Sequence, residues 1–425
     1  MTTSLTQIAL KLYGTTATLL TPLIKYHLKS RRLRGKEHPE RHPERLGYSV
    51  TQRPSGPLLW IHGASVGESL SILPLITALN AQQSNLKFLI TTGTTTSAEL
   101  MAKRLPENAI HQFVPVDIPA AIERFIEHWS PDLGLIVESE LWPQLIFRSA
   151  NHNIPLLLIN GRMSKKSTKS WYRFPFFIKD LLACFRIVMA QSQQDARHFR
   201  QLGSTQVLES GNLKFSADKL SYDSASLDEL TNLIKKRPVW FASSTHKGEE
   251  LFFARVQEKL KAKIPNILCI VAPRHPNRGP DILAELGSTK LKVSARSKSE
   301  TIYSDTDLYL ADTLGELGLF YELSPIVVMA GSFLRKGGQN LLEPARQNCA
   351  IICGPEMQNF EAICDEMIEA DAIIKLRNTD QLENQLIHLL SHTEERRELA
   401  KTASHYMTSK GEEIHAIAAR VLEEL

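Results

Sequence analysis

From residue 57 onward, short apolar runs alternate with stretches whose apolar residues recur at helical spacing. PLLWIHGA reads as a strand running into a turn, and SLSILPLITALN as the helix after it. LKFLITTGT, HQFVPVD, LGLIVES, IPLLLING and IVMAQS repeat the strand signal, with TSAELMAKRL, IPAAIERFIEHW and LWPQLIFRSANH as helices between them. Strands that are apolar almost throughout belong to a parallel sheet covered on both faces. Six of them make one doubly wound unit ending near GNLKFSAD. The segment 219–237 is polar and reads as a linker with a short helix. The alternation then restarts with PVWFASS, ILCIVAP, LKVSA, DLYLAD, PIVVMAGS, AIICGP and AIIKL. The pattern turns helical from about residue 380 to the end. The expected organisation is an N-terminal segment 1–45, a first Rossmann-like domain 46–218, a linker 219–237, a second Rossmann-like domain 238–395 and a C-terminal helix 396–425. Two doubly wound units of similar size facing a cleft is the expected α/β architecture. Ligands of such sheets bind beyond the carboxyl ends of the strands.

Residues 1–45 depart from this pattern. An apolar stretch between Lys11 and Lys25 is followed by Lys29, Arg31, Arg32, Arg34 and Lys36. A spanning helix needs about 20 mostly apolar residues, and this stretch is shorter and carries Thr, Gly and Pro. Two readings stand: an interfacial helix on anionic headgroups, and a helix packed on its own domain with a solvated basic tail. The HPERHPER doublet at 38–45 reads as a charged loop.

Composition changes little. A chain of 425 residues, 43% apolar and 23% charged, is ordinary for a globular protein of more than one domain. The five cysteines are scattered without a disulfide framework or a metal-ligand spacing.

The informative residues follow strands. In HGASVGES, Gly63 and Gly67 allow a tight turn with positive φ and a close approach of ligand to backbone. Glu68 opens the next helix, whose dipole favours the ionised carboxylate, a candidate general base. In VESELWP, Glu138 and Glu140 share a face if the strand continues and diverge if a helix begins. Over 162–200, nine basic residues, Arg162, Lys165 and Lys166 among them, stand against two acidic ones, with Trp171, Tyr172, Phe174, Phe176 and Phe177 interleaved. Such a surface suits an anionic amphiphile, a membrane face or nucleic acid. Lys214 of GNLKF falls at the junction of the units.

The second unit adds ASSTHKGEE, APRHPNR, ADTLGELGLFY and AGSFLRKGGQNLLEPA. Gly337-Gly338 leads to Asn340 as expected N-cap, with Glu343 at capping-box spacing. Helix N-termini meeting at one sheet edge make an anion site, and Arg274 adds a fork for phosphate. A D-x-D at 305–307 precedes a strand and reads as a turn.

These motifs, taken in order and joined by GPEMQNF, resemble the 3-deoxy-D-manno-octulosonate (Kdo) transferases of Gram-negative bacteria over about residues 30 to 400. The resemblance implies the GT-B architecture, with two Rossmann-like domains and an interdomain cleft. It implies transfer of Kdo from CMP-Kdo to a lipid A precursor, with inversion and with no cofactor or bound metal. By it, Glu68 is the base, while Glu138 and Lys214 stabilise the transition state, Glu140 being the uncertain neighbour. CMP contacts map to Pro273, Arg274, Gly315, Glu316, Leu317, Asn340, Leu341, Leu342 and Glu343. Arg162, Lys165 and Lys166 would meet acceptor phosphates and an anionic inner-membrane surface on its cytoplasmic face, by peripheral association and without nucleic acid. Another sugar-nucleotide transferase of this architecture, a sugar-nucleotide epimerase and a non-catalytic polyanion-binding protein using the 162–200 surface are the alternatives.

Overall fold

The computed structural model describes residues 3–216 and 218–425, and these form two compact units. The first contains the strands β1 (Leu58–His62), β2 (Lys87–Thr92), β3 (Ala109–Phe113), β4 (Leu133–Val137), β5 (Leu156–Gly161), β6 (Phe185–Ala190) and β7 (Val207–Glu209). They are parallel, in the order β3-β2-β1-β4-β5-β6-β7. β1 and β4 are buried at every position because helices cover both faces. The helices are α1 (Ser4–Leu19), α2 (Thr21–Leu33), α3 (Val66–Gln82), α4 (Thr95–Arg104), α5 (Pro119–Trp129), α6 (Pro143–Asn151), α7 (Lys165–Trp171), α8 (Pro175–Leu182) and α9 (Gln193–Gln201). α5 shows the governing pattern: Ala121, Ile122, Phe125, Ile126 and Trp129 turn inward along one stripe.

The second unit, Asp218–Ser409, repeats the plan with β8 (Val239–Thr245), β9 (Leu268–Pro273), β10 (Val293–Ala295), β11 (Leu308–Leu310), β12 (Ile326–Met329), β13 (Ala350–Cys353) and β14 (Ile374–Lys375). Their order is β10-β11-β9-β8-β12-β13-β14. α10 (Ser224–Ile234), α11 (Glu249–Lys263), α12 (Gly279–Leu286), α13 (Leu317–Leu323), α14 (Leu342–Arg346), α15 (Glu361–Glu369), α16 (Leu382–Ser391) and α17 (Thr393–Gly411) complete it. The chain thus has the α/β, two-domain GT-B type of architecture. In the first sheet the order reverses once, between β1 and β4; in the second it reverses between β8 and β12, and β10 additionally lies outside β11 at the edge. At such a reversal the flanking loops part and leave a crevice above the carboxyl ends.

The structure departs from the sequence reading in several places. The first sheet has a seventh strand, β7, in which only Val207 is buried, so no apolar run announced it. The terminal helix is three helices, and the last, α18 (Glu413–Leu422), returns to the first unit. Ile414, Ile417, Ala418 and Val421 join the core beneath α3. Burying each of its larger apolar side chains contributes about 1.5–3 kcal/mol.

The 38–45 segment is no loose loop. Arg41 pairs with Glu44 at 2.8 Å, and the other Glu44 oxygen accepts from the Phe113 N–H. Helix α1 packs on α5, α6 and α8. Thr3 donates through its N–H and hydroxyl to Asp180, and the Tyr13 hydroxyl donates to Asp117. The outward side of α1 and α2 still carries exposed Leu5, Ile8, Leu12, Leu19, Leu23, Tyr26 and Leu33. Among the described residues, no helix is long and apolar enough to cross a membrane.

Candidate functional site

Glu68 stands beside the first reversal. Ser65 caps α3 by accepting from the Glu68 N–H, and its hydroxyl donates to Glu68 Oε1 at 2.7 Å. The Ala64 N–H donates to Oε2, also at 2.7 Å. The carboxylate is therefore fixed against the turn, and each oxygen keeps a second lone pair. The expected positive φ is absent: neither Gly63 nor Gly67 has one. Gly63 serves by close approach, since a Cβ there would stand 3.2 Å from Glu68 Cβ. Gly67 already lies within α3.

Glu138 and Glu140 follow β4 across the reversal. The backbone neither extends nor starts a helix. Glu138 takes the left-handed conformation, φ 57°, and the chain turns sharply until α6 begins at Pro143. A non-glycine residue held there costs of order 1–3 kcal/mol, a strain that collects at functional positions. The twist separates the two acids. Glu138 Oε1 accepts from Lys214 Nζ at 2.8 Å. Glu140 turns back toward His62, whose Nε2 lies 3.9 Å from Oε2. Burial pushes the Glu140 carboxyl upward; a hydrogen bond from Trp142 Nε1 opposes this, and the charges of Glu68 and Glu138 add to it. Lys214 sits on the tight turn Leu213–Ser216, which Asn160 anchors by accepting from the Leu213 N–H.

Arg162, Lys165 and Lys166 are exposed just past β5. Ser164 caps α7, so Lys165 and Lys166 occupy its first turn, where the helix dipole opposes positive charge. Such a placement costs about 0.3–1 kcal/mol for each charge. Tyr172, Phe174 and Phe176 are exposed nearby, whereas Trp171 and Phe177 pack against the core.

In the second unit Pro273 ends β9, and Arg274 beyond it is exposed with its N–H on the Thr245 carbonyl. Gly315 has φ 84°, and open space surrounds its Cβ position. Leu317 starts α13. Glu316 is already engaged: Arg296 grips it with two nitrogens and the Thr313 hydroxyl donates to it, so the guanidinium holds its carboxyl below the usual range. The expected capping box at 340–343 is not formed. The helix α14 is one turn, starts at Leu342 and has Leu341 as its N-cap. Asn340 accepts from the Leu342 N–H and donates to Glu343 Oε1 instead. With the helix starting at Leu342, Asn340 stands one residue before the N-cap position. Burial raises the Glu343 carboxyl against the pull of Asn340, Arg346 and Arg274.

The Gly337-Gly338 turn has φ 85° and 78° in succession. A Cβ at Gly338 would meet Met357 Sδ at 2.4 Å, and one at Gly337 would meet the Asn359 side chain. The GPEMQNF segment thus staples the turn, with the Asn359 N–H donating to the Gly337 carbonyl. Of the helices that follow the second-unit motifs, α13 and α14 are short, which weakens the expected meeting of helix N-termini.

Sequence reading missed three residues that shape these sites. Glu249 is fully buried and accepts from the N–H groups of His246, Gly331 and Phe333, tying the loops after β8 and β12 together. Asn160 has φ 51° and supports the lysine turn. His62 is hidden in an apolar strand. The adjacent glutamates of HKGEE were the only signal for the first, and nothing local marked the other two.

Residues 40–217 match the family model described as 3-deoxy-D-manno-octulosonic-acid transferase (kdotransferase). A 3-deoxy-D-manno-octulosonic acid transferase of Rickettsia bellii is 34% identical over 90% of this chain and 91% of its own length. One of Haemophilus influenzae is 30% identical over 91% and 92%. Among solved structures, UDP-GlcNAc 2-epimerase from Neisseria meningitidis superposes with a TM-score of 0.55 at 14% identity, covering 84% of this chain and 99% of that one, a likeness of fold alone. The chain belongs to the 3-deoxy-D-manno-octulosonic acid transferase family of glycosyltransferases.

Proposed function

We propose that the protein transfers Kdo from CMP-Kdo to a lipid A precursor in lipopolysaccharide biosynthesis, with inversion at the anomeric carbon. Glu68 accepts the proton of the acceptor hydroxyl as that oxygen bonds to the anomeric carbon and the bond to CMP breaks. The observation that carries this reading is the Glu68 carboxylate fixed after β1 together with the Glu138–Lys214 pair whose acid follows the neighbouring strand β4, on the two sides of the reversal. Glu138 and Lys214 form a charge pair that can respond to the developing charge at the reacting centre. Pro273, Arg274, Gly315–Leu317 and Asn340–Glu343 hold CMP in the second unit. There, backbone N–H groups and Arg274 receive the leaving phosphate.

Arg162, Lys165 and Lys166, the exposed aromatics beside them and the apolar outward side of α1 and α2 support peripheral association with the anionic inner membrane. The test is product mass from CMP-Kdo and a tetraacylated lipid A precursor, wild type beside Glu68→Gln. A gain of one or more Kdo units that disappears in a variant still stabilised by CMP supports the reading. No gain in the wild type, with no thermal shift by CMP, refutes it.

A further inference from the structure

His62 ends β1 with its ring completely buried. Its Nδ1 lies 3.2 Å from the Thr91 carbonyl oxygen and 3.0 Å from the Thr91 hydroxyl. That hydroxyl already accepts from Trp60 Nε1, and the carbonyl can only accept, so the network assigns the proton to Nδ1. Nε2 is then a bare lone pair. It is buried and has no hydrogen-bond partner, and it looks toward Glu140 Oε2 at 3.9 Å. Glu140 is half-buried and its Oε2 also accepts from Trp142 Nε1 at 2.6 Å, which favours the ionised carboxylate; the remaining lone pair on the His62 side and that of Nε2 repel unless one of them gains a proton. Other charged groups acting on this pair are Glu68 from α3, Glu138 from the loop after β4, and Arg45 from the turn His42–Leu46. Lys214 offsets Glu138. Burial pushes the imidazole down to about 4, so the ring does not keep a proton against the carboxyl, whose own affinity is raised.

We propose that Glu140 and His62 form a proton-holding pair, the proton bound to the Glu140 carboxyl and directed at His62 Nε2. His62 is a positioning residue in this arrangement. It closes the 3.9 Å gap when Glu140 is protonated and keeps the carboxyl turned away from Glu68. The cluster of three carboxylates then carries two negative charges instead of three. This proposal rests on the proposed function for its purpose. An anionic sugar acid approaching Glu68 meets less repulsion, and its own charge strengthens the hold on the proton. The pair accepts that proton as pH falls and releases it as pH rises through the raised carboxyl value.

The test is a pH-difference infrared titration of the full chain without substrate, reading the C=O stretch of protonated carboxyls. Beside the carboxyls of Asp117, Glu249 and Glu343, which burial also raises, the wild type should show one that protonates above the ordinary glutamate value of about 4.3, and Glu140→Gln should remove that one alone. His62→Leu should lower its midpoint, whereas His62→Gln, which returns an acceptor near Nε2, should restore it. A midpoint unmoved by His62→Leu, or a band removed by Glu68→Gln and not by Glu140→Gln, overturns the proposal. Should Glu140→Gln fail to fold, the contrast between the two His62 variants decides alone. Because no donor or acceptor is present, this failure is distinct from failure of the Kdo-transfer reading, which the product-mass experiment reports.

Discussion

At the carboxyl edge of the first sheet the polar groups are side chains: Glu68, Glu138, Glu140 and Lys214, held by one another and by a capping serine. At the same edge of the second sheet the acids are taken up by local partners, Glu316 by Arg296 and Glu343 by Asn340, beside consecutive left-handed glycines, and buried Glu249 ties the loops together. The same topology thus presents a cluster of acids around one lysine in the first unit and a glycine turn flanked by paired acids in the other. On the proposed function, the difference follows from what each edge would handle. Proton transfer needs a lone pair of the right basicity. A nucleotide phosphate needs donors that do not move and do not titrate.

The largest break in this comparison is Glu68→Gln. Loss of a positioned base should lower turnover by about 10²–10⁴-fold while the thermal shift by CMP persists; steady-state kinetics and calorimetry read the two units separately. Replacing Arg162, Lys165 and Lys166 together by glutamine should weaken binding to anionic vesicles by about 3 kcal/mol, near 1 kcal/mol for each charge, and flotation at low and high salt measures it. Unchanged flotation would assign the surface to the acceptor alone.

Gly338→Ala acts on the other side. Its Cβ meets Met357 and its φ of 78° disfavours any side chain, so about 1–3 kcal/mol of strain should appear as weaker CMP binding. Transfer chemistry at saturating donor should change far less.

Acid stability sharpens the contrast at the smallest scale. Burial lowers His62 to about 4 and His111 to about 3 in the folded chain, against about 6.5 unfolded. Below pH 6.5 the unfolded state binds the extra protons. The first unit should therefore lose up to about 1.4 kcal/mol per pH unit for each histidine, down to about pH 4 for His62. Urea melts at pH 7 and pH 5 that follow tryptophans of the two units should show the first moving more.

Most of the architecture could be read in the chain. Parallel strands buried on both faces must be apolar throughout, and twelve of the runs singled out contain the central strands in full or in large part. β3, read as HQFVPVD, is instead Ala109–Phe113 and ends before the prolines. β7 escaped because an edge strand with one buried residue carries no apolar signature. The return of α18 escaped because its apolar stripe says that it must be covered, not by what.

The sequence by itself determined the two doubly wound units and the placement of Glu68, Glu138, Lys214, Arg274 and the Gly337-Gly338 turn after strands. These rest on periodicity and on the rule that a parallel sheet gathers its functional loops at one edge. Only the tertiary structure decided which acid pairs with Lys214, that Gly63 serves close approach and not a turn, that Asn340 does not cap as expected, and that His62 faces Glu140. Each is a contact between residues distant in sequence or a backbone angle imposed by neighbours. Local composition does not encode such partners, because many side chains of the same type would satisfy the same pattern.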